Sequence, residues 1–478
     1  MATTNVVPIN QVAVGNIAEE HPLYVEKKRQ YILMHDCFKG SDAVKDKGRD
    51  YLPMPSGFTA QSDGGNDMYN AYITRAQFPE MTAPTIMGML GVIHRLEANI
   101  TGIEGPLAYL WERATADGLT LENLHRKITE ELLTYGRIGV LADAPPASEN
   151  GGNPYLAVYN AMSIVNWSDS GDFFVLEEYV RDRDGFNWKT TRQYRVLEQD
   201  DTGYSVGVYA ESADTMDTST HVTVTARGDN PLPTIPFVIG GARDLSIEPD
   251  ILPLIQIARS ALAMYRLDAD YRHQLFMSGQ ETLVIAGVEK GDVPTVVGAG
   301  VVIGLPTGGT ATYASPTGTG MNAHRLAIND ERENAAASGA RVMDTTQRGA
   351  ESGDALRLRA RASTATLITV AISSAAILER SLRNCAVMLG QNPDNIVVKP
   401  NLDFLDDVLS ATDAKALVDM WIARSISYET LYENLTRAAI TSQERTSKDE
   451  QQLIAKEGYL PDPEDTSDAL DSGGGGGA

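Results

Sequence analysis

The spacing of apolar and polar positions changes period along the chain, and each change marks a boundary. Over residues 20–150 the helical period dominates. Tyr69, Tyr72, Arg75, Ala76 and Phe78 recur at helical spacing. The run 85–93 is apolar but holds Gly88 and Gly91, which weaken a helix standing alone and leave room for a close neighbour. Leu121, Leu124, Ile128, Leu132 and Tyr135 fall on one face of a helix over 119–135. Gly136 is placed to cap that helix, and 137–142 then reads as a strand. A Pro/Gly/Asn/Ser loop at 144–154 precedes a switch to short strands. Segments 173–180, 191–197, 204–209 and 221–226 are rich in β-branched and aromatic residues, with Asp184-Gly185 and Asp201 to Gly203 as turns. The pattern predicts an antiparallel sheet.

The stretch 253–389 is the most informative. Asp250 is placed to cap a helix, with Pro253 tolerated in its first turn. Ile251, Ile255, Ala258, Leu262, Tyr265 and Ala269 then step alternately by four and three, the heptad spacing of helices packed on helices. This helix runs on to Ser278 and Gly279. Residues 281–316 are Gly-rich, with strands expected at 283–286 and 301–305. Helix returns over 322–339, and from Asn329 onward it is polar or Ala-rich almost all round. Such a helix sits in water or between partners. Residues 343–353 carry no apolar period and read as a mobile loop, after which Asp354 is placed to cap a long helix. Its stripe is Leu356, Ala360, Leu367, Ala371, Leu378, Leu382 and Leu389, over roughly 50 Å. One copy of the chain would struggle to cover stripes of this length. The layout therefore predicts a subunit that packs beside copies of itself around an opening.

After Gly390 the pattern gives a strand at 396–399, then helices over 410–425, 428–439 and 443–456. The first of these is expected to bury Leu417, Val418, Trp421 and Ile422. Beyond Tyr459 the chain is acidic, lacks Lys and Arg, and ends in a run of glycines, the composition of a disordered tail.

Composition narrows the function. With 478 residues, 42% hydrophobic and 22% charged, the chain is globular and long enough for two to four domains. A net charge of −24 and a pI near 4.7 argue against a tight, sequence-reading DNA binder, whose affinity would come from neutralising phosphates. Cys37 and Cys385 stand far apart, with no metal-ligand spacing and no disulfide framework. Residues 1–10 show no secretory pattern. The most membrane-like run, 362–378, is short and interrupted by Ser and Thr, so a buried helix is the better reading and no membrane partner is expected.

Chemical motifs are mostly missing. There is no G-x-x-x-x-G-K-[ST], H-E-x-x-H or G-x-S-x-G. The glycines at 298–304 are spaced one residue too long for a dinucleotide fingerprint, with strand residues where a helix should start. His94, His125, His221, His273 and His324 are scattered and read as surface or satisfied histidines. The pairs Asp330-Glu331 and Asp406-Asp407 read as solvated faces. No catalytic residue, metal or cofactor is therefore expected, and the chain reads as a non-enzyme. One charge pattern stands out: Arg357, Arg359 and Arg361, with Arg341 and Arg348 flanking the polar loop. They either pair with neighbours such as Glu351 and Asp354, or form a sparse set of cations that touches phosphates without gripping them.

The order of these elements resembles the portal proteins, the head-to-tail connectors of tailed bacteriophages. The residues carrying the resemblance are Tyr69, Tyr72, Arg75, Ala76 and Phe78; Tyr135, Gly136, Arg137, Gly139, Val140 and Leu141; and Arg272, His273, Leu275, Phe276, Ser278 and Gly279. Residues 351–357 and 401–404 complete the set. The resemblance implies an α+β portal fold with an N-terminal α/β wing (1–249), a first stem helix (250–279) and a β-rich clip (280–316). A second stem helix (317–340), a tunnel loop (341–353), a long wing helix with its link (354–399) and a helical crown (400–458) would follow, before the disordered acidic and glycine tail (459–478). It also implies a homo-oligomeric ring, a dodecamer, at one capsid vertex of the virion, made in the host cytoplasm. Double-stranded DNA would pass through it non-specifically during packaging and ejection. The large terminase subunit would dock at the clip, followed by head-tail adaptor proteins, with major capsid and scaffolding proteins as further partners. Arg341, Thr345, Thr346, Gln347, Arg348 and Glu351 become tunnel-loop candidates, and Asp330, Glu331 and Glu333 candidates for lining the channel. Two other readings stand beside this one: an oligomeric adaptor or shell protein with no DNA channel, and an intracellular α/β enzyme.

Overall fold

A computed structural model describes residues 5–6, 17–144, 152–287, 289, 304–314, 320–337, 353–402, 411–437, 440–441 and 445–457, except positions 61, 202, 213–214, 228–229 and 280–281. The chain mixes helix and sheet and divides into two compact units, 1–402 and 403–478.

The first unit opens with strand β1 (Asn5–Val6), then helices α1 (Pro22–Lys39), α2 (Ser41–Asp46), α3 (Asn66–Arg75) and α4 (Thr82–Ile93). Gly91 of α4 has open space where a Cβ would stand, so within the chain it does not serve the close approach expected of it. A short strand β2 (Asn99–Thr101) leads to α5 (Leu121–Tyr135). The whole predicted stripe of α5 is buried. Thr120 caps its start by accepting from the Asn123 amide at 3.3 Å. Gly136 ends it at φ +66°, where an added Cβ would come within 2.9 Å of the Ile251 carbonyl oxygen. Only glycine meets both the dihedral and the space there.

Strand β3 (Arg137–Asp143) follows and lies at the centre of an antiparallel sheet, between β4 (Tyr155–Asn160) and β12 (Phe237–Gly241). A second antiparallel sheet, in the order β1-β9-β8-β7-β6-β5, is a meander of β5 (Ile164–Trp167), β6 (Phe173–Asp184), β7 (Asn187–Asp200), β8 (Gly203–Ser212) and β9 (Thr215–Thr223), with β1 on its edge. Its middle strands extend past the predicted ends, because each hairpin stays in register up to its turn. Phe174 of one sheet meets Phe237 of the other at 4.9 Å between ring centroids, which places a core between the sheets. The short pair β10 (Thr225–Ala226) and β11 (Asn230–Pro231) precedes β12.

Helix α6 (Ile255–Ser278) departs from expectation at its start. Asp250 does not cap it. Its carboxylate is held by the Arg243 guanidinium at 2.5 Å and by the Ile251 amide at 2.6 Å, so the helix begins later, after Leu254. Ile251, outside the helix, is exposed, whereas Ile255, Ala258, Leu262, Tyr265 and Ala269 are buried. They pack against α1, α3 and α4 of the same chain.

Strand β13 (Thr282–Ala286) appears as predicted, and it pairs antiparallel with β14 (Thr310–Ala314), a strand the sequence pattern did not single out. Residues 301–303 lie outside the described set, and 304–305 are not strand. Helix α7 (Met321–Ala337) follows.

Helix α8 (Gly353–Met388) has 36 residues, about 54 Å. It starts one residue before the predicted cap, Asp354. Leu367, Ala371, Leu378, Leu382 and Leu389 are buried, and α8 packs on α5, β3 and β12. Its segment Ala365–Met388 is, by length and composition alone, long and apolar enough to cross a membrane, and more than half of its most apolar stretch is buried inside the chain. The expectation that the long seams need a second copy to cover them is therefore corrected for both helices. Over the described part of each, the chain's own helices and sheet do the covering. The unit closes with β15 (Val397–Lys399), which pairs with β2.

The second unit holds α9 (Ala411–Ile422), α10 (Tyr428–Arg437) and α11 (Ser447–Glu457). Here the predicted burial fails. Leu417 and Val418 are half-buried, and Trp421 and Ile422 are exposed, while the buried residues are Leu431 and Tyr432 of α10. Three short helices enclose too little volume to cover every apolar stripe. The tail from residue 458 and the pair Asp406-Asp407 lie outside the described residues.

Candidate functional site

Helices α6 and α7 pack on each other and, with the β13–β14 pair between them in sequence, form an arm. The inner half of α6 is fixed by polar ties as well as by its seam. Tyr72 donates its hydroxyl to Asp270 at 2.5 Å, and the Gln77 amide donates to Asp268 at 2.7 Å. Arg272 bridges Asp268 at 2.7 Å and Gln77 at 2.6 Å. Burial, and then the hydrogen bond to Asp270, push the Tyr72 phenol well above its usual range. His273 stands edge-on to Phe58 at 5.3 Å and to Tyr72 at 5.7 Å, and burial followed by the charge of Arg75 lowers its pKa. The outer end of α6 is bare: Leu275, Phe276 and Met277 are exposed, with the Arg75 guanidinium 4.0 Å from the Phe276 ring centroid. There α6 meets the start of α7, where Ser278 Oγ lies 3.9 Å from Met321 Sδ. The β13–β14 hairpin, with Val284 and Tyr313 exposed, is inserted between the two helices in sequence.

On α7 the half-buried or buried positions are Met321, His324, Ala327, Ile328, Glu331, Ala335 and Ala336, one band at helical spacing, and α7 packs on α6. Glu331 thus lies on the packed side, while Asp330 and Glu333 lie on the exposed face with Leu326, itself 64% exposed. The sequence grouped three carboxylates; the helix keeps two together and turns the third away. Arg341, Thr345, Thr346, Gln347, Arg348 and Glu351 fall outside the described residues. Arg357, Arg359 and Arg361 lie in the first turns of α8, and their side chains also fall outside them.

Sequence spacing missed three buried polar groupings. His94 and His125 sit 4.8 Å apart edge-to-face; His94 Nε2 is 2.8 Å from Thr129 Oγ1, and His125 Nε2 is 3.2 Å from Ser374 Oγ on α8. Burial lowers their pKa values to about 4 and about 3, and Arg126 adds to the effect on His94. Arg137 stacks on Trp167 at 3.9 Å and donates to the Ile247 carbonyl at 2.7 Å, and burial lowers its pKa to about 10.

The third grouping ties the two large sheets together. Arg195 of β7 reaches Glu178 of β6 at 2.8 Å and Asp143 of β3 at 3.0 Å. Tyr159 and Gln193 each donate to Glu178 at 2.6 Å, and Tyr155 donates to Asp143 at 3.0 Å. Residues up to 52 positions apart meet here, so no local motif could announce them. All three groupings are packed structure.

A small cleft of about 190 Å³ is lined by Tyr109, Arg113, Thr115, Asn153, Pro154 and Tyr155, without a carboxylate or histidine. Among the described residues no group of three or more His, Cys, Asp or Glu side chains is placed to hold a metal ion. Cys37 and Cys385 are free and buried, and burial raises both thiols to about 12.

A family model described as a domain of unknown function (DUF4055) matches residues 253–388. That range runs from just before α6 to the last residue of α8, so it holds the arm and the long helix together. No curated protein matches the chain. Among solved structures, a chain from the virion of a native gene transfer agent particle is similar at 14% identity and a TM-score of 0.40, covering 80% of this chain and 95% of that one. A chain from the neck of an empty gene transfer agent particle, computed with C6 symmetry, is similar at 11% identity and a TM-score of 0.38, covering 83% and 94%. Likeness this loose describes neighbours and assigns no activity.

Proposed function

We propose that this chain is the subunit of a portal-type, ring-forming head-to-tail connector of a phage-like particle. Double-stranded DNA would pass through the ring during packaging and ejection. The observation that carries the reading is the α6–hairpin–α7 arm followed, after a polar segment, by a 36-residue helix, the layout on which the resemblance to portal proteins rests. The arm projects a two-stranded tip with exposed Val284 and Tyr313, a docking point for a terminase motor and later for adaptors. Asp330 and Glu333 share the solvent face of α7. In a ring of an acidic chain, such carboxylates repel the duplex and keep it centred and mobile instead of bound. On this reading the subunit performs no bond chemistry of its own, and a separate ATPase supplies the energy.

The test is particle averaging of the purified full-length protein, alone and with capsid components. A closed ring with a central hole that admits a duplex supports the proposal. A defined oligomer without such a hole favours the adaptor reading, and a chain that stays monomeric under both conditions removes both.

A further inference from the structure

The β6–β7 hairpin outruns its sheet. Strand β5 pairs with β6 only between Phe174 and Leu176, and β8 pairs with β7 only from Gln193 inward. Residues 179–192 are therefore a two-stranded ribbon with no third strand paired on either side among the described residues. Every residue from 181 to 190 is exposed. The turn is two residues long, Gly185 and Phe186, closed by the Asp184–Asn187 pair, with Gly185 at φ +61° and Phe186 at negative φ. That is the type II′ arrangement favoured by the twist of a hairpin. It leaves Phe186 at the apex, 95% exposed, beside Trp188 at 67% and Tyr179 at 61%.

Alternation sorts the ribbon into unlike faces. Tyr179, Arg181 and Arg183 share one face with their cross-strand partners Arg192, Thr190 and Trp188. Asp182, Asp184 and Lys189 lie on the other. Arg192 and the Tyr179 hydroxyl both reach Glu177 at the base. Arg183 Nε donates to the Gly185 carbonyl at 2.8 Å, tying it to its own turn. Neither Arg181 nor Arg183 has a carboxylate within ion-pair reach among the described residues. The outer part of this face is thus Arg and Trp with no acid, on a chain whose net charge is −24.

Large aromatics and arginines are the side chains that carry binding energy in protein interfaces, and here they stand outside any core. Charge complementarity selects an acidic recipient. We propose that the β6–β7 ribbon is a clasp that docks through Phe186, Trp188, Arg181 and Arg183 onto an acidic surface of a neighbouring copy of this chain. This inference rests on the ring reading. It gives the ring a heterologous contact, with the clasp on one copy and the recipient on the next, the kind that repeats until a circle closes. Asp182 and Asp184 on the reverse face make the ribbon a poor fit for a nucleic-acid groove, where phosphates flank both sides.

The test uses the full-length protein in three forms: wild type, Phe186→Ser with Trp188→Ser, and Arg181→Glu with Arg183→Glu. The altered side chains touch no core, so circular dichroism and the melting temperature of the fold should stay unchanged. Light scattering over a dilution series should show wild-type assembly weakened by salt, and both variants needing at least tenfold more protein to assemble. Variants that assemble like wild type overturn the clasp while leaving the ring reading intact. Unchanged assembly with weakened retention of duplex DNA in the charge-reversed variant overturns it in favour of a nucleic-acid contact. A wild type that never assembles removes both the clasp and the ring.

Discussion

Replacing Arg195 by Met tests whether the polar network between the two sheets holds them together. The Arg195 side chain is 20% exposed, and its partners Asp143 and Glu178 are 15% and 17% exposed. Removing one partner of a buried pair costs about 3–5 kcal/mol, because the remaining charge stays desolvated. Partial exposure, and the Tyr159 and Gln193 hydrogen bonds left on Glu178, put the expectation at the low end, about 3 kcal/mol. That is roughly two decades in the unfolding equilibrium. Chemical denaturation followed by near-UV circular dichroism reads it directly. The pH dependence sharpens the test. Burial alone would raise Glu178, but Arg195, helped by the hydrogen bonds, outweighs burial and holds the carboxyl below its usual range. A carboxylate depressed in the folded state adds stability above its unfolded pKa, and that stability is lost as pH falls. Without Arg195 burial dominates and the sign reverses: the variant's deficit should be largest near pH 7.5 and shrink toward pH 5, as Glu178 takes up a proton. Adding Glu178→Gln should recover part of the loss at neutral pH. A deficit under about 1 kcal/mol, or one that grows with acid, would refute the argument.

Acid should also act through the histidine pair: with folded pKa values near 4 and 3, the unfolded chain takes up protons first below about pH 6.5, so stability falls from there downward and His125→Gln should flatten that slope in pH-dependent melts. Gly136→Ala should cost about 1–3 kcal/mol in denaturant titrations, because alanine resists φ +66° and its Cβ would meet the Ile251 carbonyl; a neutral result would mean that the turn relaxes freely. If α7 lines a channel, Asp330→Lys with Glu333→Lys should leave assembly intact and slow DNA passage in a packaging assay, whereas Glu331→Lys, on the packed side, should disturb the α6–α7 contact and lower thermal stability. Leu382→Ala, at a fully buried position, should destabilise the single chain by about 2–5 kcal/mol, while Phe276→Ser with Met277→Ser should spare the fold and weaken any assembly built on the arm.

The elements were legible wherever their signal is local. The α5 stripe, the Gly136 cap and the length of α8 all follow from spacing within one segment. Whatever depended on distant partners was not. The α6 seam is written in the heptad from Ile255 to Ala269, but its covering helices lie about two hundred residues upstream, so the sequence showed a stripe to bury and not what buries it. The threonine-rich Thr310–Ala314 carries little apolar signal, yet it pairs with β13 along five residues, because strand preference yields to tertiary context. Asp250 looked like a cap until Arg243 claimed its carboxylate. One local signal lies in the turn itself: beside Asp184-Gly185, where small polar residues are usual, stand Phe186 and Trp188, and both are exposed.

Burial inside the chain moves the question of assembly to different surfaces. The seams of α6 and α8 are satisfied over their described lengths, so a ring cannot draw its main stabilisation from them without first undoing the monomer's core. Among the exposed large apolar side chains described in the first unit, two groups stand out: the outer end of the arm, with Leu275, Phe276, Met277 and Leu326, and the β6–β7 ribbon, with Phe186 and Trp188. A closed circle needs unlike surfaces that meet repeatedly in one direction, and an acidic chain needs local cations to overcome repulsion between its copies. The ribbon supplies the cations and the arm supplies apolar area. On that argument, assembly should depend on salt as well as on apolar burial, and a folded, soluble subunit should exist before the ring does.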